Sequence, residues 1–125
     1  MTSVASLEGL RVLVVEDEPL LAVDLEMLLE EAGGEVVGPA RSAKRAFRLL
    51  EEAGWVDFAL LDLSLGDERN DRLPDTLAEQ GTPFAFLTGH VRAYLPPRHR
   101  DAPLIAKPFR EARLLARIAE IAEAA

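Results

Sequence analysis

Five short apolar runs, each followed by a stretch with helical spacing, limit what this chain can fold into. They are Leu10 to Val15 (LRVLVV), Glu35 to Gly38 (EVVG), Phe58 to Leu61 (FALL), Pro83 to Leu87 (PFAFL) and Leu104 to Ala106 (LIA). Each has strand length, and the first is dense in β-branched valine. Pro19 opens the first helical stretch, where a missing N–H does no harm. Apolar residues recur there at Leu21, Leu25, Leu28 and Ala32, and Gly33-Gly34 ends it. Ser42 predicts the N-cap of a second helix with an apolar face of Ala43, Phe47 and Leu50, closing near Gly54, where Trp55 is expected to cap it against the core. A short helix is expected over Leu73 to Gln80, and a last one with Leu114, Ile118 and Ile121 on its buried stripe. Between the fourth and fifth strands Pro96, Pro97 and Pro103 exclude a full helix after Leu95.

Strands that alternate with helices form right-handed βαβ units and a parallel sheet covered on both faces. A chain of 125 residues, 49% hydrophobic, supports one such core, expected over 10–125 after a flexible segment at 1–9. There is no cysteine, which excludes disulfides and thiolate metal sites. A formal net charge of -8 opposes a phosphate backbone, so no direct nucleic-acid binding is expected. The opening MTSVASLEG has no basic start or long apolar run, and nowhere do eighteen apolar residues follow one another. The expectation is a soluble cytoplasmic protein without membrane contact.

Parallel sheets of this kind bind ligands at the carboxyl ends of their strands. The residues at that edge are Glu16 and Asp17 after the first strand, Asp62 after the third, Thr88 and Gly89 after the fourth, and Lys107 and Pro108 after the fifth. Each has an ordinary structural role open to it. Glu16 or Glu18 can cap a helix, Asp62 a turn, Thr88-Gly89 can be a turn pair and Lys107 a solvated base. Their gathering on one rim is harder to explain that way, because clustered like charges cost free energy unless a cation or base neutralises them.

Asp17 and Asp62, with Glu16 behind them, offer hard oxygen ligands too few to dehydrate a cation fully, which suits Mg2+. A carboxylate is also a nucleophile, and its attack on a phosphoryl group yields an aspartyl phosphate. The Lys107 ammonium and the Thr88 hydroxyl are suited to neutralising phosphoryl oxygens. The set fits a phosphorylatable aspartate and supplies no nucleotide site, since no glycine-rich phosphate loop is present.

From Leu10 to Glu123 the chain resembles a response regulator receiver domain of two-component signalling. VLVVEDEP resembles the family's acidic segment, ALLDLSL its acceptor segment, LTG its switch hydroxyl and AKPF its lysine motif. The resemblance implies a flavodoxin-like (βα)5 three-layer sandwich, an α/β fold with strand order 2-1-3-4-5, here with a short or irregular fourth helix. It implies that Asp62 accepts phosphate from a kinase phosphohistidine. It also implies that Asp17, Asp62 and the Ser64 backbone carbonyl bind Mg2+, that Thr88 and Lys107 hold the phosphoryl oxygens, and that the Lys107-Pro108 peptide is cis. Self-phosphorylation and self-dephosphorylation are the only catalysis implied, in a monomer or weak dimer.

PFAFLTGH, Pro83 to His90, is similar to the run that names the FAT GUY receivers, often single-domain proteins paired with histidine kinases of the HWE or a related class. Leu87 and His90 depart from that pattern. The loop LGDERNDRLPD replaces the usual turn and points the same way, and its acids Asp67, Glu68 and Asp71 are expected to solvate it. Leu104 stands where receivers carry a switching aromatic, which removes the usual threonine-aromatic coupling. The proline-broken segment Gly89 to Ala102 is expected to be short or mobile and to reorder on phosphorylation. Arg92, Arg98, His99 and Arg100 in it are expected to form a solvated basic face. His90 is expected to be exposed and Tyr94 to pack in the core or on the surface. A second class of function is a receiver-like interaction module that is never phosphorylated, although such modules commonly lack part of the Asp17, Asp62, Thr88 and Lys107 set. A hydrolase acting through Asp62 would need a second acid two residues on, where Ser64 stands.

Overall fold

The computed structural model describes residues 5–63, 72–89 and 95–124. Five strands, β1 (Arg11–Val15), β2 (Glu35–Ala40), β3 (Phe58–Asp62), β4 (Phe84–Thr88) and β5 (Leu104–Ala106), form one parallel sheet in the order β2-β1-β3-β4-β5. Four helices accompany them: α1 (Pro19–Glu31), α2 (Ala43–Ala53), α3 (Arg72–Glu79) and α4 (Glu111–Ala124). This is the flavodoxin-like topology expected from the sequence.

Alternation along each strand sends successive side chains to opposite faces. Val12, Val14, Phe58, Leu60 and Leu87 pack with Leu25, Leu29, Leu114 and Ile118, so α1 and α4 cover one face. Leu13, Val15, Ala59, Leu61 and Phe86 pack with Ala46, Leu50, Leu73 and Leu77, so α2 and α3 cover the other. In α2, Ser42 Oγ accepts the Arg45 N–H at 3.1 Å, the N-cap its position predicts.

The helix faces differ in detail from the periodicity. In α1 the buried residues are Ala22, Leu25 and Leu29, and Leu21 and Leu28 sit at the margin. In α2 Ala46 is buried and Phe47 packs half-buried at the margin of the same core, and in α4 Leu115 is buried and Ile121 only half-buried. A helix lying on a broad sheet buries a wider arc than one stripe, so small residues close to the sheet go inside. Trp55 is no cap against the core: it is 57% exposed, and the Arg11 guanidinium lies 4.6 Å over its ring.

The expected flexible segment over 1–9 also needs correction where it is described. Leu7 is fully buried against the α1–α4 face, and its N–H donates to Ala32 O at 2.8 Å. Between β4 and β5 the described residues contain only a 3-10 turn, Pro97–His99, consistent with the expected loss of a regular helix. The acidic loop after Leu63, with His90, Arg92 and Tyr94, lies outside the described residues.

Candidate functional site

Register brings the rim residues together. Asp62 is the last residue of β3 and pairs with Leu87 of β4, while Thr88 ends β4 and pairs with Ala106 of β5. The next residue, Lys107, donates its backbone N–H to Thr88 O at 2.7 Å. On the other side β1 ends beside β3, with Val15 opposite Leu61, and carries Glu16 and Asp17 beyond it. Strands β1, β3, β4 and β5, adjacent in the sheet, therefore each contribute to one cluster.

Strand β2 contributes by support. Its register against β1 shifts between Leu13 and Val15, so that Val15 meets Ala40, and Ala40 O then accepts the Glu16 N–H at 2.8 Å. Gly38 allows this irregularity. It has φ +105, and a Cβ there would meet Ala40 N at 2.7 Å and Val14 O at 3.0 Å. The strand expected to stop at Gly38 instead continues two residues further and holds the site from below.

Glu16, Asp62 and Thr88 are the buried polar residues of the described chain, at 0%, 2% and 2% exposure. One carboxylate oxygen each from Glu16, Asp17 and Asp62 lies within 4.8 Å of the others. Lys107 Nζ faces two of them, at 3.3 Å from Glu16 Oε1 and 3.5 Å from Asp62 Oδ1. Glu16 Oε2 accepts the Glu18 N–H at 3.0 Å. Glu18 occupies the N-cap position of α1 but makes no side-chain cap bond, so Glu16 is the residue that ties this helix entrance to the rim.

Burial pushes the Glu16 carboxyl up to about 7, reinforced by its hydrogen bond to Asp62 and by the Asp62 charge, against the opposing effects of the Glu18 N–H and of Lys107. For Lys107, burial works against the charged ammonium, yet the nearby Asp62 and Glu16 charges prevail and raise its pKa. The cluster thus joins three carboxyl groups to one described base, Lys107, which compensates their charge only in part.

A hard divalent cation fits these donors. Glu16 Oε1 is buried and without a hydrogen bond; Lys107 Nζ approaches it only as a neighbouring charge. Three converging carboxylates with one uncommitted oxygen match the oxygen-rich, incompletely dehydrated coordination that magnesium favours. The expected Ser64 carbonyl lies outside the described residues. The Lys107-Pro108 peptide is cis, as is Gly38-Pro39.

One polar arrangement escaped the sequence. His99 and Arg98, expected on a solvated face, both reach Asp75 in the first turn of α3: His99 Nε2 lies 2.7 Å from Oδ1, and Arg98 donates to Oδ2 at 2.9 Å. The His99 side chain is 10% exposed and stands edge-on to Phe84, with ring centroids 5.4 Å apart. Twenty-four residues separate His99 from Asp75, and no local signal marks such a pair.

Known proteins show the same frame. The profile of the response regulator receiver domain matches residues 12–119. The phyllosphere-induced regulator PhyR of Methylorubrum extorquens is 37% identical over 112 residues, which cover 87% of this chain and 42% of that protein. The transcriptional regulatory protein PdtaR of Mycobacterium tuberculosis is 33% identical over 103 residues, covering 79% of this chain and 50% of that one. The chain thus spans about half the length of the curated relatives it matches. The solution structure of SdrG from Sphingomonas melonis is similar over 98% of this chain and 99% of its own, with a TM-score of 0.76 and 32% identity.

Proposed function

This chain belongs to the response regulator receiver domain family, and from that premise we propose that it is a phospho-accepting receiver whose acceptor is Asp62. The observation that carries the reading is the setting of that carboxylate: 2% exposed, at the end of β3, with Lys107 Nζ at 3.5 Å and the Glu16 and Asp17 oxygens close by. The donor is a phosphohistidine on a sensor histidine kinase, of the HWE or a related class, or on a phosphotransfer protein.

An Asp62 oxygen attacks phosphorus; the O–P bond forms as the P–N bond to imidazole breaks, and the imidazole keeps the bonding pair. Burial keeps competing water from the carboxylate, and β3 fixes its direction. Lys107 supplies a positive charge that opposes the growing charge on the phosphoryl oxygens, and the Thr88 hydroxyl is suited to a second of them. Glu16, Asp17 and Asp62 would hold Mg2+, which when bound neutralises charge on the transferring group. Attack of water later releases inorganic phosphate and restores Asp62, so the chain modifies itself and turns over no separate substrate. The output is a change in protein contacts within the cytoplasm.

Intact-mass measurement after incubation with a small acyl phosphate and magnesium tests this. One added phosphoryl group is expected, absent in Asp62→Asn and reduced when magnesium is chelated. An adduct that persists in Asp62→Asn would falsify the acceptor assignment. No adduct on the unmodified chain would favour a receiver-like interaction module instead.

A further inference from the structure

Helix α2 carries its charges in the reverse of the order that its own dipole favours. Lys44 and Arg45 lie in its first turn, at the positive end, and Glu51 and Glu52 in its last turn, at the negative end. All four are exposed, as is Arg48 between them, and no ion pair joins any of the five to another described residue. Helix stability alone does not account for that placement.

Ala43, Ala46 and Leu50 turn inward, so the five charged residues share the outer side of the helix at spacings of three and four, with Arg41 and Trp55 exposed just beyond its ends. This face is symmetric about Arg48 in position and opposite in charge: Lys44 and Glu52 stand four residues to either side, Arg45 and Glu51 three, Arg41 and Trp55 seven. Two identical helices packed antiparallel about a twofold axis pair the residues that lie equally far from the axis on opposite sides. With the axis at Arg48, Lys44 of each copy meets Glu52 of the other and Arg45 meets Glu51. Arg41 meets Trp55, which is 57% exposed and already holds the Arg11 guanidinium 4.6 Å over its ring. Phe47 and Leu49, half-buried on either side of Arg48, border the face with apolar surface in the same symmetry. The two Arg48 groups meet at the axis as like charges, with Glu51 and Glu52 of each copy one turn away. The face also suits self-association of an acidic chain, since it carries four bases against two acids where the whole has a net charge of -8.

We propose that the outer face of α2 is a self-association surface, on which two copies of the chain pack α2 against α2, antiparallel, about a twofold axis at Arg48. The contact is small and mostly polar, so the dimer is weak and salt-sensitive. It belongs to the unphosphorylated chain and does not depend on the acceptor assignment.

Sedimentation velocity of the full chain over a concentration series tests it. At low salt a reversible dimer is expected, weakened roughly tenfold or more at high salt, because exposed ion pairs are screened. K44E/R45E and E51K/E52K should each stay monomeric, and an equimolar mixture of the two should dimerise again. The quadruple variant K44E/R45E/E51K/E52K, whose face is once more self-complementary, should recover the dimer by itself. Each of these changes places charge as the helix dipole favours, so lost association does not come from unfolding, which circular dichroism checks. The proposal fails if the unmodified chain is monomeric throughout, if either double variant dimerises as the unmodified chain does, or if the mixture or the quadruple variant fails to associate. Binding of a polyglutamate peptide to a chain that stays monomeric would assign the basic half of the face to an acidic partner and equally overturn the proposal.

Discussion

Glu16 holds the most consequential single position. Its folded pKa of about 7 exceeds the ordinary 4.5, so the folded state retains a proton that the unfolded chain gives up. Protonation therefore stabilises the fold below pH 4.5, and that contribution is lost as pH rises through about 7. In the absence of divalent cation, thermal unfolding at pH 5.5 and 8.5 should show stability falling with pH, by an amount on the order of 2 kcal/mol from this residue. Glu16→Gln keeps an acceptor for the Glu18 N–H and should flatten that dependence; an unchanged slope in the variant would count against it. The sequence made this site legible because each of its residues lies at or just past the end of a strand, and strand ends share one edge. It could not reveal that Glu16 would be fully buried while its neighbour Asp17 is only half-buried.

Elements show a different balance. The five strands and the four helices were legible from periodicity, capping and proline placement, and their ends moved by a residue or two. The connection before β5 was legible only as an absence of helix. In its described part, Asp75 on α3 pairs with His99, which stands edge-on to Phe84 and is largely buried. Arg98 is 80% exposed on its side chain and should contribute little beyond it. Asp75→Ala leaves a buried imidazole without its partner and should destabilise the protein by about 1–3 kcal/mol. Urea unfolding checks this, and a double-mutant cycle with His99→Ala should show coupling, whereas additive losses would mean that the two side chains do not act together.

At the scale of the whole molecule, two apolar layers flank one sheet, and the alternation Val12, Leu13, Val14, Val15 announces both. Leu7 was not announced, because one leucine between polar residues has no period to recognise. It is nonetheless fully buried in the α1–α4 layer, so Leu7→Ala should cost about 2–4 kcal/mol, seen as a lower denaturant midpoint with an unchanged m-value. The sole tryptophan adds a practical consequence. Trp55 lies against Arg11 at the start of the strands, whereas Asp62 ends β3, about 13 Å away along the strand at ~3.3 Å per residue. Indole emission depends on immediate surroundings, so this natural fluorophore should change little when a cation or phosphoryl group meets the acidic rim. It is instead a gauge of whether the far edge of the sheet is intact, and a spectroscopist could watch the protein melt without ever seeing it signal.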